Sequence, residues 1–261
     1  GGPIGCELAQ AFRRLGSEVT ILTRDPKVLP KEDRDLAELV LKNFESEGIQ
    51  MQTEVQVDRI EKKNSEQQVY FRKDGVEQHI KADHILLATG RKPGTSGLGL
   101  KEVGVELNPD GTVKVDPFLR SSIPNIYACG DVAGPFQFTH VAGHQAWYAT
   151  VNALFSPFKK FAVDYRVVPW CTFTDPELAR VGLSEEDALA QNTAYEKTTF
   201  DLSGLDRAIA ERNNYGMIKV LTKPGKDQIL GAAICGPHAG DLLSEFVLAM
   251  KHGIGLNKIL G

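Results

Sequence analysis

Cysteine is scarce. The 261 residues hold four, at positions 6, 129, 171 and 235, and no two stand in a C-x-x-C or C-x₄-C pair. The chain therefore carries no vicinal redox couple. It also lacks the paired ligand spacing of a zinc site, so no metal is expected. Scattered cysteines of this kind read as small buried hydrophobes in a reducing, cytoplasmic compartment. Long apolar runs are missing too. No window approaches 18 consecutive apolar residues, which excludes a membrane-spanning helix. Nor is there a charge excess: 30 Lys and Arg stand against 34 Asp and Glu, for a net charge of −4. Nothing in that balance selects nucleic acid or an acidic lipid surface. No repeat or low-complexity tract appears. The opening Gly1-Gly2-Pro3-Ile4-Gly5 has neither a basic region nor a cleavage site, so it is no signal peptide. The absence of an initiating Met suggests a cut chain.

What is present is a globular balance, with 42% hydrophobic and 25% charged residues, over a length that suits about two domains. Residues 3–15 read as a helix, with Ile4, Leu8, Phe12 and Leu15 on one apolar face and Gly16 as its stop. A β-prone run follows at 18–23. A second helix is expected at 33–47, capped by Asp33, with Leu36, Leu39, Val40 and Phe44 as its stripe. Ile49 to Met51 is a candidate strand. Short alternating strands are expected at 54–62, 67–72 and 76–81, with Asp74-Gly75 as the hairpin turn. His84 to Ala88 reads as a buried strand, and further strands are expected at 112–115 and 125–128. A helix covers 139–155, and a linker near 156–160 marks a domain boundary. Beyond it the expected order is strand (167–173), helix (184–191), strand (195–201), short helix (204–211), strands (216–221 and 229–235) and helix (241–251). Asp175-Pro176-Glu177 reads as a turn, and Ser184 with Asp187 as a capping box. Neighbouring strands joined by short turns favour an antiparallel sheet with helices on one face.

The chemistry-bearing candidate lies at the front. Gly2 and Gly5 occupy the second and third glycine positions of a G-x-G-x-x-G fingerprint, which needs a strand before it and a helix after it. Gly2 lets a pyrophosphate approach the backbone at the helix N-terminus, and Gly5 lets the helix pack closely. About twenty residues on, Thr23-Arg24 stands where the 2′-position of the ribose is read. A neutral Thr and a cationic Arg suit a 2′-phosphate, so NADPH is favoured over NADH. The competing reading makes Arg24 a solvated charge neutralised by Asp25.

The run Gly1-Gly2-Pro3-Ile4-Gly5-Cys6-Glu7-Leu8-Ala9 resembles the second nucleotide fingerprint of the class I pyridine nucleotide–disulfide oxidoreductases. Ala88-Thr89-Gly90-Arg91-Lys92-Pro93 resembles that family's A-T-G-R-x-P turn. Ile126-Tyr127-Ala128-Cys129-Gly130-Asp131 resembles its second flavin motif. Phe173-Thr174-Asp175-Pro176-Glu177 resembles the start of its dimerisation domain. The mercuric reductase and dihydrolipoamide dehydrogenase branches are the most similar, and Thr23 leans toward the former.

The resemblance implies an α/β, partial Rossmann-like NAD(P)-binding domain (1–92), a central FAD-contacting segment (93–160) and an α+β antiparallel-sheet dimerisation domain (161–261). It implies FAD and NADPH as cofactors. Gly2, Pro3, Ile4, Gly5, Glu7, Thr23 and Arg24 would bind the nucleotide, with Glu7 near the nicotinamide amide. Gly90 would form the exit turn, and Asp131 would meet the ribityl chain of FAD. The family's redox cysteine pair and terminal His-Glu dyad are absent, so no catalytic residue is assigned and the isolated chain is expected to be inactive. A homodimer is implied, with a small molecule or a disulfide as electron acceptor. His140 and His144 have metal-compatible spacing but no third ligand. Trp170 and Phe173 read as core or dimer contacts, and Asp206, Arg207 and Glu211 as surface charges. The alternatives are an NADH-linked dihydrolipoamide dehydrogenase fragment and a non-catalytic module for dinucleotide binding and dimerisation.

Overall fold

A computed structural model describes residues 1–64 and 66–259. The chain forms two compact units, one of Gly1–Thr89 with Pro169–Gly261, the other of Gly90–Val168. In the first unit, helix α1 (Pro3–Arg14) leads to strand β1 (Thr20–Leu22), helix α2 (Arg34–Ser46) and strand β2 (Gln50–Gln52). The two strands pair in parallel, Ile21 opposite Met51. Strands β3 (Gln56–Lys63), β4 (Glu66–Lys73) and β5 (Val76–Ala82) form an antiparallel sheet of three.

The second unit holds helix α3 (Thr139–Phe155) and a 3-10 turn at Gly130–Val132. The strands expected at 112–115 and 125–128 are only isolated bridges here, Leu107 to Val113, Val115 to Ser121 and Arg120 to Tyr127. The backbone bends after each bridge at side-chain-capped turns, such as Asp116 accepting from the N–H groups of Phe118 and Arg120.

The remainder of the first unit is an antiparallel sheet in the order β6-β7-β10-β9-β8. Its strands are β6 (Pro169–Thr172), β7 (Glu177–Gly182), β8 (Glu196–Asp201), β9 (Met217–Thr222) and β10 (Ile229–Gly236). Helices α4 (Glu185–Ala190) and α5 (Asp206–Ala210) lie in the connections, and α6 (Ala239–His252) packs on β7 and β10. Strand β7 was not expected. Its Arg180 is a charge in the middle of a buried run, and it is tolerated because Glu32 and the Lys31 carbonyl, far away in sequence, meet it together with Asp187 nearby.

One core joins the parallel strand pair to the five-stranded sheet. Leu36, Val40 and Phe44 of α2 are almost fully buried with Leu178, Ala233 and Cys235. The periodic stripe of α2 is thus its inner face. The Asp33 side chain does not cap α2, whose start it flanks. Its carboxylate instead accepts from the N–H groups of Glu185 and Glu186, so it caps α4. Ser184 and Asp187 complete that cap as a reciprocal box.

Two apolar runs are placed differently from expectation. On α1 the inner face is Cys6, Ala9 and Gln10. These side chains let the helix lie against the turn at Asp175, whose N–H and carbonyl both bond to the Gln10 amide at 2.8 Å. Ile4, Leu8 and Phe12 therefore face outward, 38–46% exposed. The run from His84 to Ala88 is not a strand. No strand among the described residues pairs with it, and Leu87 is 72% exposed.

Candidate functional site

The glycine loop is built by α1 and β1. Gly2 is the N-cap of α1, in an extended conformation, and Pro3 takes the first helical position, where its missing N–H costs nothing. The Cys6 N–H donates to the Gly2 carbonyl at 3.0 Å, which starts the helical ladder. The N–H groups of Ile4 and Gly5 are left as the open donors of the first turn. A Cβ placed on Gly2 would meet nothing within 4 Å, so the space beside it is open. At Gly5 the same atom would come 3.5 Å from Ala88, an ordinary contact. The strict steric demand falls on Gly1, where a Cβ would lie 2.6 Å from Thr23 Oγ1. Thr23 is thereby buried against the loop, at 6% exposure.

Arg24 follows as an exposed residue. No ion pair to it is found among the described residues. Among the described residues Asp25 makes no ion pair with it; the Asp25 N–H donates to Thr23 Oγ1 at 3.3 Å and its carbonyl accepts from the Glu54 N–H. An open helix N-terminus at Gly2, with an exposed Arg24 just past the end of β1, suits a diphosphate with an anionic ribose substituent. The residues present thus fit a dinucleotide. Glu7 is committed elsewhere in part: its Oε1 accepts from the Phe173 N–H at 2.9 Å.

The loop 24–33, which runs from Arg24 to α2, is held along its length, and Lys27 pairs with Glu186 of α4. The Leu29 N–H donates to the Gly1 carbonyl at 2.7 Å. Glu32, 4% exposed, accepts from Trp170 Nε1 at 2.8 Å and from Arg180 Nε at 3.0 Å. Asp33 accepts from Lys219 Nζ at 3.2 Å. Burial pushes the Glu32 carboxyl upward, while Arg180 and Trp170 pull it back. For Lys219 burial acts downward, but hydrogen bonds to Asp35 and Glu185, with the charge of Asp33, leave the amine above its ordinary value. Carboxylate oxygens of Asp33, Asp35 and Glu185 cluster closely enough to suggest a cation site. The Lys219 ammonium bonds to all three, so that position is already filled.

In the second unit, Asp131 lies in the 3-10 turn and Gly90 has φ 114°. Asp131 Oδ2 accepts from Arg91 Nη1 at 3.1 Å. The turn is fixed from below by Gln145, a fully buried residue of α3 that sequence reasoning missed. Its Oε1 accepts from the Gly130 N–H, and its Nε2 donates to the Gly134 carbonyl and the Tyr165 hydroxyl. Asn152, seven residues on along the same helix face, is equally buried. It bonds to the Phe118 and Phe161 carbonyls. Two amides on the inner face of an otherwise apolar helix were the available signal. His140 stacks on Phe138 and His144 meets Tyr148 edge-on.

All four thiols are free. Burial pushes Cys6 up to about 11 and both Cys171 and Cys235 up to about 12. Those three are protonated at neutral pH and are not nucleophiles.

A glycine-led helix beside a parallel strand pair, backed by a five-stranded antiparallel sheet with its own helices, defines an α/β protein of modular build. The comparisons name the family. Residues 1–146 match the pyridine nucleotide-disulphide oxidoreductase model, and residues 168–260 match the dimerisation domain of the same family. The chain belongs to the pyridine nucleotide-disulphide oxidoreductases. It is 37% identical to a dihydrolipoyl dehydrogenase of Thermus scotoductus over 97% of this chain and 54% of that one. It is 34% identical to a mercuric reductase of Bacillus cereus over 97% of this chain and 40% of that one. Among solved structures, LpdA from Mycobacterium tuberculosis matches with a TM-score of 0.89 and 27% identity, over 98% of this chain and 55% of that one. The HOCl-induced flavoprotein disulfide reductase RclA from Escherichia coli matches at 0.85 and 29%, over 97% and 57%. The chain thus spans about half the length of the relatives it matches. Among the described residues no helix is long and apolar enough to cross a membrane.

Proposed function

We propose that this chain is the NADPH-binding and dimerisation portion of an FAD-dependent oxidoreductase. When bound, the two cofactors supply hydride transfer from NADPH to flavin and onward reduction of a redox disulfide. The chain's own residues bind and orient. Gly2, Pro3, Ile4 and Gly5 present the open helix end to the diphosphate, and Thr23 holds that loop from behind. Arg24 meets the 2′-phosphate, and Glu7, on the same helix, orients the nicotinamide amide. Gly90 and Asp131 belong to the flavin side, where the Asp131 carboxylate accepts from ribityl hydroxyls and Arg91 fixes its direction. The dimerisation-domain match supports a homodimer, and the final acceptor is a small molecule or a disulfide.

The observation that carries the cofactor choice is the pairing of a neutral, buried Thr23 with an exposed Arg24 that makes no ion pair among the described residues. The test is calorimetric titration of the chain with NADPH and NADH, before and after Arg24→Ala. NADPH is expected to bind more tightly, and the substitution to remove about 1.5–3 kcal/mol from NADPH alone. Equal affinities that ignore the substitution would defeat the NADPH assignment. They would favour the NADH-linked dihydrolipoyl dehydrogenase reading, which the 37% identity to such an enzyme also supports.

A further inference from the structure

Arg180 on β7 and Lys219 on β9 are buried cations, 3% and 1% exposed. A buried cation is costly unless its donors are fully met, so each must be explained by what it bonds. Both reach out of the five-stranded sheet to the far end of loop 24–33, and both also bond α4 and its cap, Arg180 through Asp187 and the Gly182 carbonyl and Lys219 through Glu185. Arg180 donates to the Glu32 carboxylate and, at 2.9 Å, to the Lys31 carbonyl. Its guanidinium lies 4.4 Å from the centre of the Trp170 ring, whose Nε1 bonds the other Glu32 oxygen. Lys219 holds Asp33 and Asp35. The near end of the loop is fixed by Thr23, whose N–H and carbonyl bond Gln52 and Val55. Its middle is tied to the glycine loop through Leu29 and Gly1.

We propose that Arg180 and Lys219 are positioning residues for the dinucleotide, acting through Glu32 and Asp33 to hold the loop that presents Arg24. The inference rests on the dinucleotide reading above and extends it. The segment matched as a dimerisation domain sets the specificity of the nucleotide site. A fork with five donors fits this task, since it fixes a carboxylate and a carbonyl in one geometry. The 2′-phosphate contact depends on where Arg24 lies, whereas the diphosphate contact depends mainly on the α1 end. Slackening the loop therefore weakens NADPH more than NADH.

The test uses the whole chain with Arg180→Met, together with the paired change Glu32→Gln/Arg180→Met. The pair removes the anchor without leaving the buried Glu32 carboxylate alone, while Asp187, the other partner of Arg180, is half-exposed and keeps its bonds to Ser184. NADPH and NADH dissociation constants and the thermal midpoint are read for each. The expected result is that the NADPH constant rises about tenfold in the paired variant, with a distinctly smaller rise for NADH, because misplacing a binding group by a fraction of an ångström is enough to lose its contact. An unchanged NADPH constant in a folded variant overturns the proposal. So does an equal loss for both nucleotides, which is what general loosening gives. If the unaltered chain binds neither nucleotide, the dinucleotide reading itself fails and the proposal falls with it.

Discussion

Three buried thiols make the stability of this chain depend on pH in the alkaline range. Cys6, Cys171 and Cys235 have folded-state values of about 11, 12 and 12, against 9.0 for an ordinary thiol. A raised value means that the folded form holds its proton more tightly than the unfolded chain. The stabilisation is then fully present below pH 9 and is lost as pH rises toward 11 and 12. Urea unfolding at pH 8 and pH 10.5 should show a fall in stability of about 1 kcal/mol or more per thiol. Alkylation by iodoacetamide at pH 8 should leave Cys6 and Cys235 unmodified until the chain unfolds. Identical stability at both pH values contradicts the burial assigned to these thiols. At this scale the site was partly legible in the sequence. Spacing alone marked Gly2, Gly5, Thr23 and Arg24. It did not reveal that Gly1 is the glycine the packing demands, because that demand comes from Thr23, 22 residues away.

Among the elements, α3 shows how buried polar groups fix a loop. The Gln145 amide bonds three groups, including the Gly130 N–H beside Asp131. Gln145→Leu leaves that N–H and the Gly134 carbonyl without their partner, at a cost of about 2 kcal/mol or more. The expected result is a lower thermal midpoint together with faster amide exchange at Gly130 and Asp131. Exchange unchanged at those two residues would contradict the support role. Helix α2 was legible because Leu36, Val40 and Phe44 repeat with the helical period and all three face the core. The capping box of α4 was legible because Ser184 and Asp187 are local. Strand β7 was not, since Asp175-Pro176 signals a turn and Arg180 breaks the apolar run. What rescues Arg180 is Glu32, 148 residues earlier, together with Asp187. The run from His84 to Ala88 failed for the opposite reason: its composition is that of a buried strand, but a strand needs a neighbour, and none among the described residues pairs with it.

For the molecule as a whole, the organising fact is that the nucleotide-type segment and the dimerisation-type segment share one compact unit and one core. Their junction carries buried charge as well as apolar side chains, and the same junction backs the glycine loop. The central claim is that the open end of α1 receives a dinucleotide. The most direct measurement is a titration of NADPH into the chain and into its Gly2→Val variant, with thermal midpoints recorded for both. A side chain at Gly2 points into open space, so the fold should tolerate it and the two midpoints should agree within about 2–4 °C. The account predicts saturable one-site binding to the unaltered chain and a loss of about tenfold or more in the variant, where the new side chain blocks the diphosphate. No saturable binding, or the same dissociation constant for both proteins, would contradict it.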